Sequence, residues 1–322
     1  MNKILITGIT GFVGSHLAEY CLAKGNTQVY GTVLSHHLGG ELQRIEAIKD
    51  QVTLFECNLA NRLAAQRVIA KVMPDIIFHL AAQSFVPTSW QSPEDTLINN
   101  IMGELNIFEA VRELGINPVI QIACSSEEYG LVYENELPIK ETNQLRPLSP
   151  YAVSKVTQDA LACQYHHSYN LKTVITRAFN HEGPRRGEQF VTSNFAKQIA
   201  SIEKGKQEPV ICVGNLTAKR DYTDVRDMVH AYWLATEKCK FGEPYNICSE
   251  KSWPIQYVLD FLLSKSTRKD ITVKEEPARM RLSDVQILLG DCSKFKQQTG
   301  WAPMIPFEKT LEDTLNYWRK MV

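Results

Sequence analysis

Short apolar runs recur along the first half of the chain, with amphipathic stretches between them. Residues 3–7 (Lys-Ile-Leu-Ile-Thr) begin the series, and further runs follow at 28–33, 52–56, 75–80 and 119–123. Helical periodicity fills the gaps at 13–24, 61–72 and 94–113, the last ending at Gly115. Buried strands alternating with helices predict a parallel sheet covered on both faces. Such an α/β, doubly wound sheet binds its ligands at the carboxyl ends of the strands.

Beyond about residue 180 the rhythm changes. Turn-rich pieces at 181–187 and 214–220 interrupt helical patterns at 191–204, 224–238, 254–265 and 308–319. The pattern divides the chain into a Rossmann domain over 1–180 and a smaller α/β substrate domain over 181–322. Residues 174–177 and 245–247 are expected to return to the main sheet, so the division is not a single cut.

Composition narrows the class of protein. The chain has 322 residues, 44% hydrophobic and 22% charged, the balance of a globule with a sizeable core. Thirty-five Lys plus Arg against thirty-six Asp plus Glu leave a formal net charge of −1. There is no global basic field to recruit nucleic acid or an anionic membrane, so any phosphate binding must be local. No uninterrupted apolar run reaches the length of a membrane span, and the first residues lack the pattern of a signal peptide. The eight cysteines are scattered with no C-x-x-C pair, which points to reduced thiols in a cytoplasmic protein. The histidines show no metal-ligand spacing, and no metal is assigned.

Candidate chemistry starts at the first strand. Gly8, Gly11 and Gly14 form G-x-x-G-x-x-G where it runs into the first helix. Two glycines permit a tight turn and close backbone approach. The third lets the helix pack against the strand, so that its positive N-terminus faces a pyrophosphate. A dinucleotide is the expected cofactor. The second strand ends Tyr30-Gly31-Thr32-Val33-Leu34-Ser35-His36-His37 with no carboxylate to hold a free ribose hydroxyl, and Arg44 lies further on. That end tolerates a 2′-phosphate, which favours NADP over NAD.

Tyr151 and Lys155 stand at i and i+4 on one face of a predicted helix. A phenol with an ordinary pKa of about 10 is a poor base at neutral pH. A neighbouring ammonium favours its phenolate and brings it into working range. Ser125-Ser126-Glu127-Glu128-Tyr129-Gly130 follows the fifth strand, at the carboxyl end of the sheet, where a nicotinamide is expected to lie.

The ordered set of residues 7–14 (TGITGFVG), 79–84 (HLAAQS), 125–130 (SSEEYG), 151–155 (YAVSK) and 220–227 (RDYTDVRD) resembles the extended short-chain dehydrogenase/reductases acting on nucleotide sugars. These form the NAD-dependent epimerase/dehydratase family, and the resemblance covers essentially the whole chain. Residues 180–188 and 190–192 are similar to those of GDP-mannose 4,6-dehydratases, and residues 214–216 to those of the GDP-sugar branch as a whole. The related GDP-4-keto-6-deoxymannose reductases share much of the rest, including residues 125–130 (SSEEYG) in some members.

The resemblance implies a role for each matching residue. Ser125 would hydrogen-bond the sugar O4, and Tyr151 would be the base that removes the O4 proton. Lys155 would bind the nicotinamide ribose and lower the Tyr151 pKa. Glu127 would take the C5 proton and assist loss of the C6 hydroxyl. Ser126 occupies the place of an acidic Asp in some relatives, which leaves both tasks to Glu127. The cofactor set comprises Gly8, Thr10, Gly11, Phe12, Val13 and Gly14, then Asn58, Leu59, Leu80, Ala81, Ala82 and Gln83, with Tyr151, Lys155, His181 and Arg186. Ser84, Ser126, Asn180, Asn194, Lys197, Arg220 and Arg281 are the substrate candidates, the two arginines for the diphosphate. Helices near 94–113 and 151–168 are expected to pair in a homodimer, with a tetramer as the larger alternative.

The chain departs from the family pattern in four places. Asn58-Leu59 replaces Asp-Leu beside the adenine, Asp95 stands where a tyrosine is usual, and Leu282 replaces a proline after Arg281. The arginine-rich segment that long dehydratases carry after the second strand is missing. The implied activity is 4,6-dehydration of GDP-mannose or a GDP-manno-heptose. The alternatives are NAD(P)H-dependent reduction of GDP-4-keto-6-deoxymannose at C4 and, from another class, a non-catalytic dinucleotide sensor.

Overall fold

The computed structural model describes residues 1–34, 42–279 and 285–322. The first part of the chain supplies strands β1 (Asn2–Thr7), β2 (Thr27–Val33), β3 (Val52–Glu56), β4 (Ile76–His79), β5 (Val119–Ser125) and β6 (Lys172–Ala178). The second part adds β7 (Asn180–Glu182), β8 (Val210–Val213), β9 (Lys219–Asp224), β10 (Pro244–Ile247), β11 (Ser252–Pro254) and β12 (Thr272–Glu275). Helices α1 (Phe12–Ala23), α2 (Arg62–Val72), α3 (Val86–Gln91), α4 (Pro93–Leu97), α5 (Gly103–Glu113) and α6 (Pro150–Tyr169) belong to the first part. The rest are α7 (Val191–Glu203), α8 (Val225–Lys238), α9 (Ile255–Ser264), α10 (Ser293–Thr299) and α11 (Phe307–Met321).

Seven strands form one sheet in the order β3-β2-β1-β4-β5-β6-β10, and every neighbouring pair is parallel. On one face α1 and α8 bury Leu17, Cys21, Met228 and Tyr232. On the other, α2, α5 and α6 bury Ile69, Ile107, Phe108 and Ala162. Coverage on both faces explains why β1 reads as an unbroken apolar run rather than an alternation: Ile4, Leu5 and Ile6 are all buried. Each such side chain contributes about 1.5–3 kcal/mol relative to exposure. The strand order reverses between β1 and β4, which opens a crevice at their carboxyl ends.

The second part builds its own core from Phe195 and Ile199 of α7, Val258 and Leu262 of α9, and Leu311 and Leu315 of α11. Two small sheets accompany it, β11-β9-β7 and β12-β8.

The structure differs from the sequence pattern in the 94–113 stretch. It is not one regular helix: α4 and α5 are joined by a wide π turn over Ile98–Met102. Such a turn inserts a residue into the helical register, and Asn100, inside it, is buried. The short helices α3 and α10, and a 3₁₀ run over Gln43–Gln51, were also not marked by periodicity.

Candidate active site

The glycine loop forms because its backbone admits little else. Gly8 has φ +69°, and a Cβ on Gly14 would collide with the Gly8 carbonyl oxygen. The turn closes through Gly11 N–H donating to Gly8 O at 2.9 Å. Gly11 caps α1 without a side chain, and no acidic residue stands in the first turn. The first N–H groups and the positive end of the helix therefore face the crevice, as a pyrophosphate requires. The residues fit a dinucleotide.

Around this loop lies a cavity of about 1090 Å³. The whole glycine set, Asn58, Leu59 and the 80–84 segment line it, together with Ser125, Glu127, Tyr151 and Lys155. Asn180, His181, Arg186, Asn194 and Arg220 close it from the second part of the chain. Two of the expected residues lie outside it. Ser126 is buried beneath the β5 turn, because successive residues of a 3₁₀ turn point in different directions and Glu127 takes the cleft side. Lys197 is instead paired with Glu188. Arg281, like His36 and His37, lies outside the described residues.

Helix α6 starts where its cap dictates. Ser149 Oγ accepts the Ala152 N–H at 3.1 Å, and Pro150 occupies the first turn. That start puts Tyr151 at the helix mouth and Lys155 one turn deeper. Lys155 is buried, and its Nζ donates to Ala123 O at 2.7 Å and to Gln158 Oε1 at 2.8 Å. Its ammonium sits 5.9 Å from the Tyr151 ring centre. Burial draws the lysine pKa down, while Cys124, Glu104 and Glu128 hold it up. Burial also pushes the Tyr151 phenol well above its ordinary range, and a side-chain hydrogen bond with Ser125 opposes that rise.

Near the glycine loop, burial sets the charge of one group. His181 is pulled down to about 4 by burial and by Arg186, so it is neutral at pH 7. It stacks on Phe12 with ring centres 6.0 Å apart. Arg186 spans the crevice between Phe12 and Phe190, at 4.9 and 3.5 Å from the ring centres.

Two residues of the site are not marked by the sequence pattern. Asn100 clamps the Gln83 backbone, accepting its N–H at 2.8 Å and donating to its carbonyl at 3.1 Å. Arg279 lines the cavity and donates to Asn194 Oδ1 at 3.1 Å. The adjacent Asn99-Asn100 pair inside an amphipathic pattern was the only signal for the first, and nothing in the sequence marked the second.

A helix N-terminus brought to the strand ends by glycines, with a phenol and an ammonium one turn apart beside it, is the construction of a short-chain dehydrogenase/reductase. Comparison with known proteins narrows that class, and the chain belongs to the GDP-mannose 4,6 dehydratase family, whose model matches residues 5–314. It is 34% identical over 351 residues to a GDP-mannose 4,6-dehydratase of Vibrio cholerae serotype O1, covering 97% of this chain and 93% of the relative. It is also 30% identical over 321 residues to a GDP-6-deoxy-D-mannose reductase of Pseudomonas aeruginosa, covering 100% and 98%. Among solved structures, RMD from Pseudomonas aeruginosa complexed with NADPH matches with a TM-score of 0.84 at 27% identity, over 100% of both chains. A Thermus thermophilus UDP-glucose 4-epimerase complexed with NAD matches at 0.85 and 28%, over 99% of this chain and 100% of the other.

Proposed function

We propose that the protein is a GDP-sugar 4,6-dehydratase, converting GDP-mannose or a GDP-manno-heptose to the 4-keto-6-deoxy sugar. The observation that carries this reading is that Glu127 lines the same cleft as Ser125, Tyr151 and Lys155. A carbonyl reductase needs the last three and has no task for a carboxylate there.

The glycine loop, Asn58, Leu59, residues 80–83, His181 and Arg186 hold the dinucleotide. A dinucleotide held there would supply reversible hydride storage for the sugar. Ser125 orients O4, and Tyr151 accepts its proton, supported by the Lys155 cation. The resulting 4-keto group acidifies the C5 proton, which Glu127 removes and passes to the departing C6 hydroxyl. The proton Tyr151 takes from O4 matches the one C5 regains, so the balance is one water lost. Arg220 and Arg281 hold the diphosphate, and Asn180 and Asn194 contact the sugar or nucleotide.

NADP is the preferred cofactor. The described end of β2 offers no carboxylate, and the 3₁₀ run after it brings Arg44 to the glycine loop, where its guanidinium donates to Thr10 O at 3.2 Å. The working unit is a homodimer. Ile98 (45% exposed), Met102 (37%) and Val153 (42%) leave apolar surface on the helices expected to pair, and a second copy would cover it. A Rossmann unit over 1–180 and a substrate unit over 181–322 remain the natural division of labour. Eight free cysteines, six of them buried, suit the cytoplasm. No described helix is long and apolar enough to cross a membrane.

The end-to-end match to a GDP-6-deoxy-D-mannose reductase favours 4-keto reduction as the second reading. Supplying GDP-mannose and GDP-manno-heptose with a trace of NADP separates the two, since only a dehydratase consumes either sugar.

A further inference from the structure

Directly behind the catalytic turn lies a buried charged cluster that the reaction does not use. The 3₁₀ turn Ser126–Glu128 that presents Glu127 is closed by its own side chains: Ser125 Oγ accepts the Glu127 N–H at 3.2 Å, and Glu128 Oε1 accepts the Ser125 N–H at 2.8 Å. Glu128 is fully buried. Its other oxygen lies 3.4 Å from Arg177 Nε on β6. The same nitrogen donates at 2.8 Å to Asp159 on α6, the helix that carries Tyr151 and Lys155. Arg177 also donates to the Tyr129 hydroxyl at 3.1 Å, which in turn donates to Asn246 of β10 at 2.6 Å. Two consecutive residues, Glu128 and Tyr129, thus tie the turn to Arg177 of β6 and, through Arg177 and Asp159, to the helix that carries Tyr151 and Lys155.

We propose that Glu128 is a positioning residue, joining the Ser125 amide to Arg177 so that Ser125 and Glu127 are held in register with Tyr151. A carboxylate placed only for stability could go anywhere Arg177 reaches. This one instead ends on the backbone of the residue beside the reacting sugar. Burial and the nearby Asp159 raise its pKa, and Arg177 opposes them. Removing the acceptor leaves the Ser125 N–H without its partner and frees the turn to shift.

The catalytic arm of the test rests on the dehydratase reading, and the exchange arm does not. Glu128→Met removes the acceptor at similar volume, and Glu128→Gln keeps a carbonyl able to accept the same N–H. Full-length wild type and both variants are compared in kcat and KM for GDP-mannose, in NADPH affinity, and in amide hydrogen exchange at Ser125. For Glu128→Met the expected result is a kcat loss of about 100-fold, with KM and NADPH affinity within about threefold of wild type. Ser125 exchange should be faster by about tenfold or more, and Glu128→Gln should restore most of both. Glu128→Met with wild-type kcat or unchanged Ser125 exchange overturns the proposal. So does loss of NADPH binding in step with kcat, which would mean general loosening. Should wild type leave both GDP-mannose and GDP-manno-heptose untouched, the functional reading fails while Ser125 exchange still decides the role of Glu128.

Discussion

Replacing Lys155 by Met tests how much of the site's chemistry rests on one buried cation. The side chains are similar in length, so the change removes an ammonium with little change of volume. Nζ now serves Ala123 O and Gln158 Oε1 at 2.7 and 2.8 Å. Losing it orphans two buried acceptors at about 1–3 kcal/mol each. Against that, the ammonium is itself costly to bury, as the downward pull on its pKa shows, and Met removes that cost. The net destabilisation should be about 1–3 kcal/mol, or roughly 2–6 °C in melting temperature. The kinetic effect should be far larger. Burial already raises the Tyr151 phenol, and the change removes the cation that sits 5.9 Å from its ring centre. Turnover should fall by about 10²–10⁴-fold, equivalent to about 2.7–5.5 kcal/mol in the barrier. Thermal scans and steady-state turnover over a pH series measure both quantities on the same preparation. Activity should recover in part as pH rises, because each pH unit increases the phenolate fraction about tenfold below the phenol pKa. Turnover within about threefold of wild type, or a loss no larger than the unfolded fraction explains, would refute the role given to Lys155.

Glu127→Gln should abolish water loss while leaving C4 oxidation intact, so reduced nicotinamide should accumulate on the enzyme, as its absorbance would report. Continued water loss within tenfold of wild type, about 1.4 kcal/mol, would remove Glu127 from the chemistry. Arg44→Ala should raise the KM for NADP about tenfold or more and leave that for NAD nearly unchanged, by the worth of one charge-assisted hydrogen bond. Equal effects on both cofactors would count against a 2′-phosphate contact. Ile98→Glu should turn the dimer into a monomer in light scattering at micromolar concentration, and an unchanged mass would place the interface elsewhere.

What the sequence revealed follows from how each feature is encoded. Strand β1 is legible because burial on both faces leaves Ile4, Leu5 and Ile6 an unbroken apolar run, and the loop at Gly8–Gly14 because only glycine fits its turn and close approach. Tyr151 and Lys155 are legible because helical spacing alone puts them on one face. The π turn at Ile98–Met102 is not, since one extra residue hardly disturbs a hydrophobic stripe, and the clamp of Asn100 on Gln83 went unseen with it. Ser126 and Glu127 are neighbours in sequence, yet the turn sends one into the core and the other into the cleft. Lys197 pairs with Glu188, nine positions away, and Arg279 reaches the cavity from a distant segment. Such outcomes depend on tertiary contacts that no local pattern records.

Incubation with GDP-mannose and a trace of NADP, followed by mass spectrometry of the nucleotide sugar, decides whether the protein is a dehydratase. The expected product is lighter by one water, with no net reduction of the cofactor. Untouched GDP-mannose and GDP-manno-heptose, together with a gain of two hydrogens when GDP-4-keto-6-deoxymannose and NADPH are supplied, would contradict this expectation and identify a 4-keto reductase.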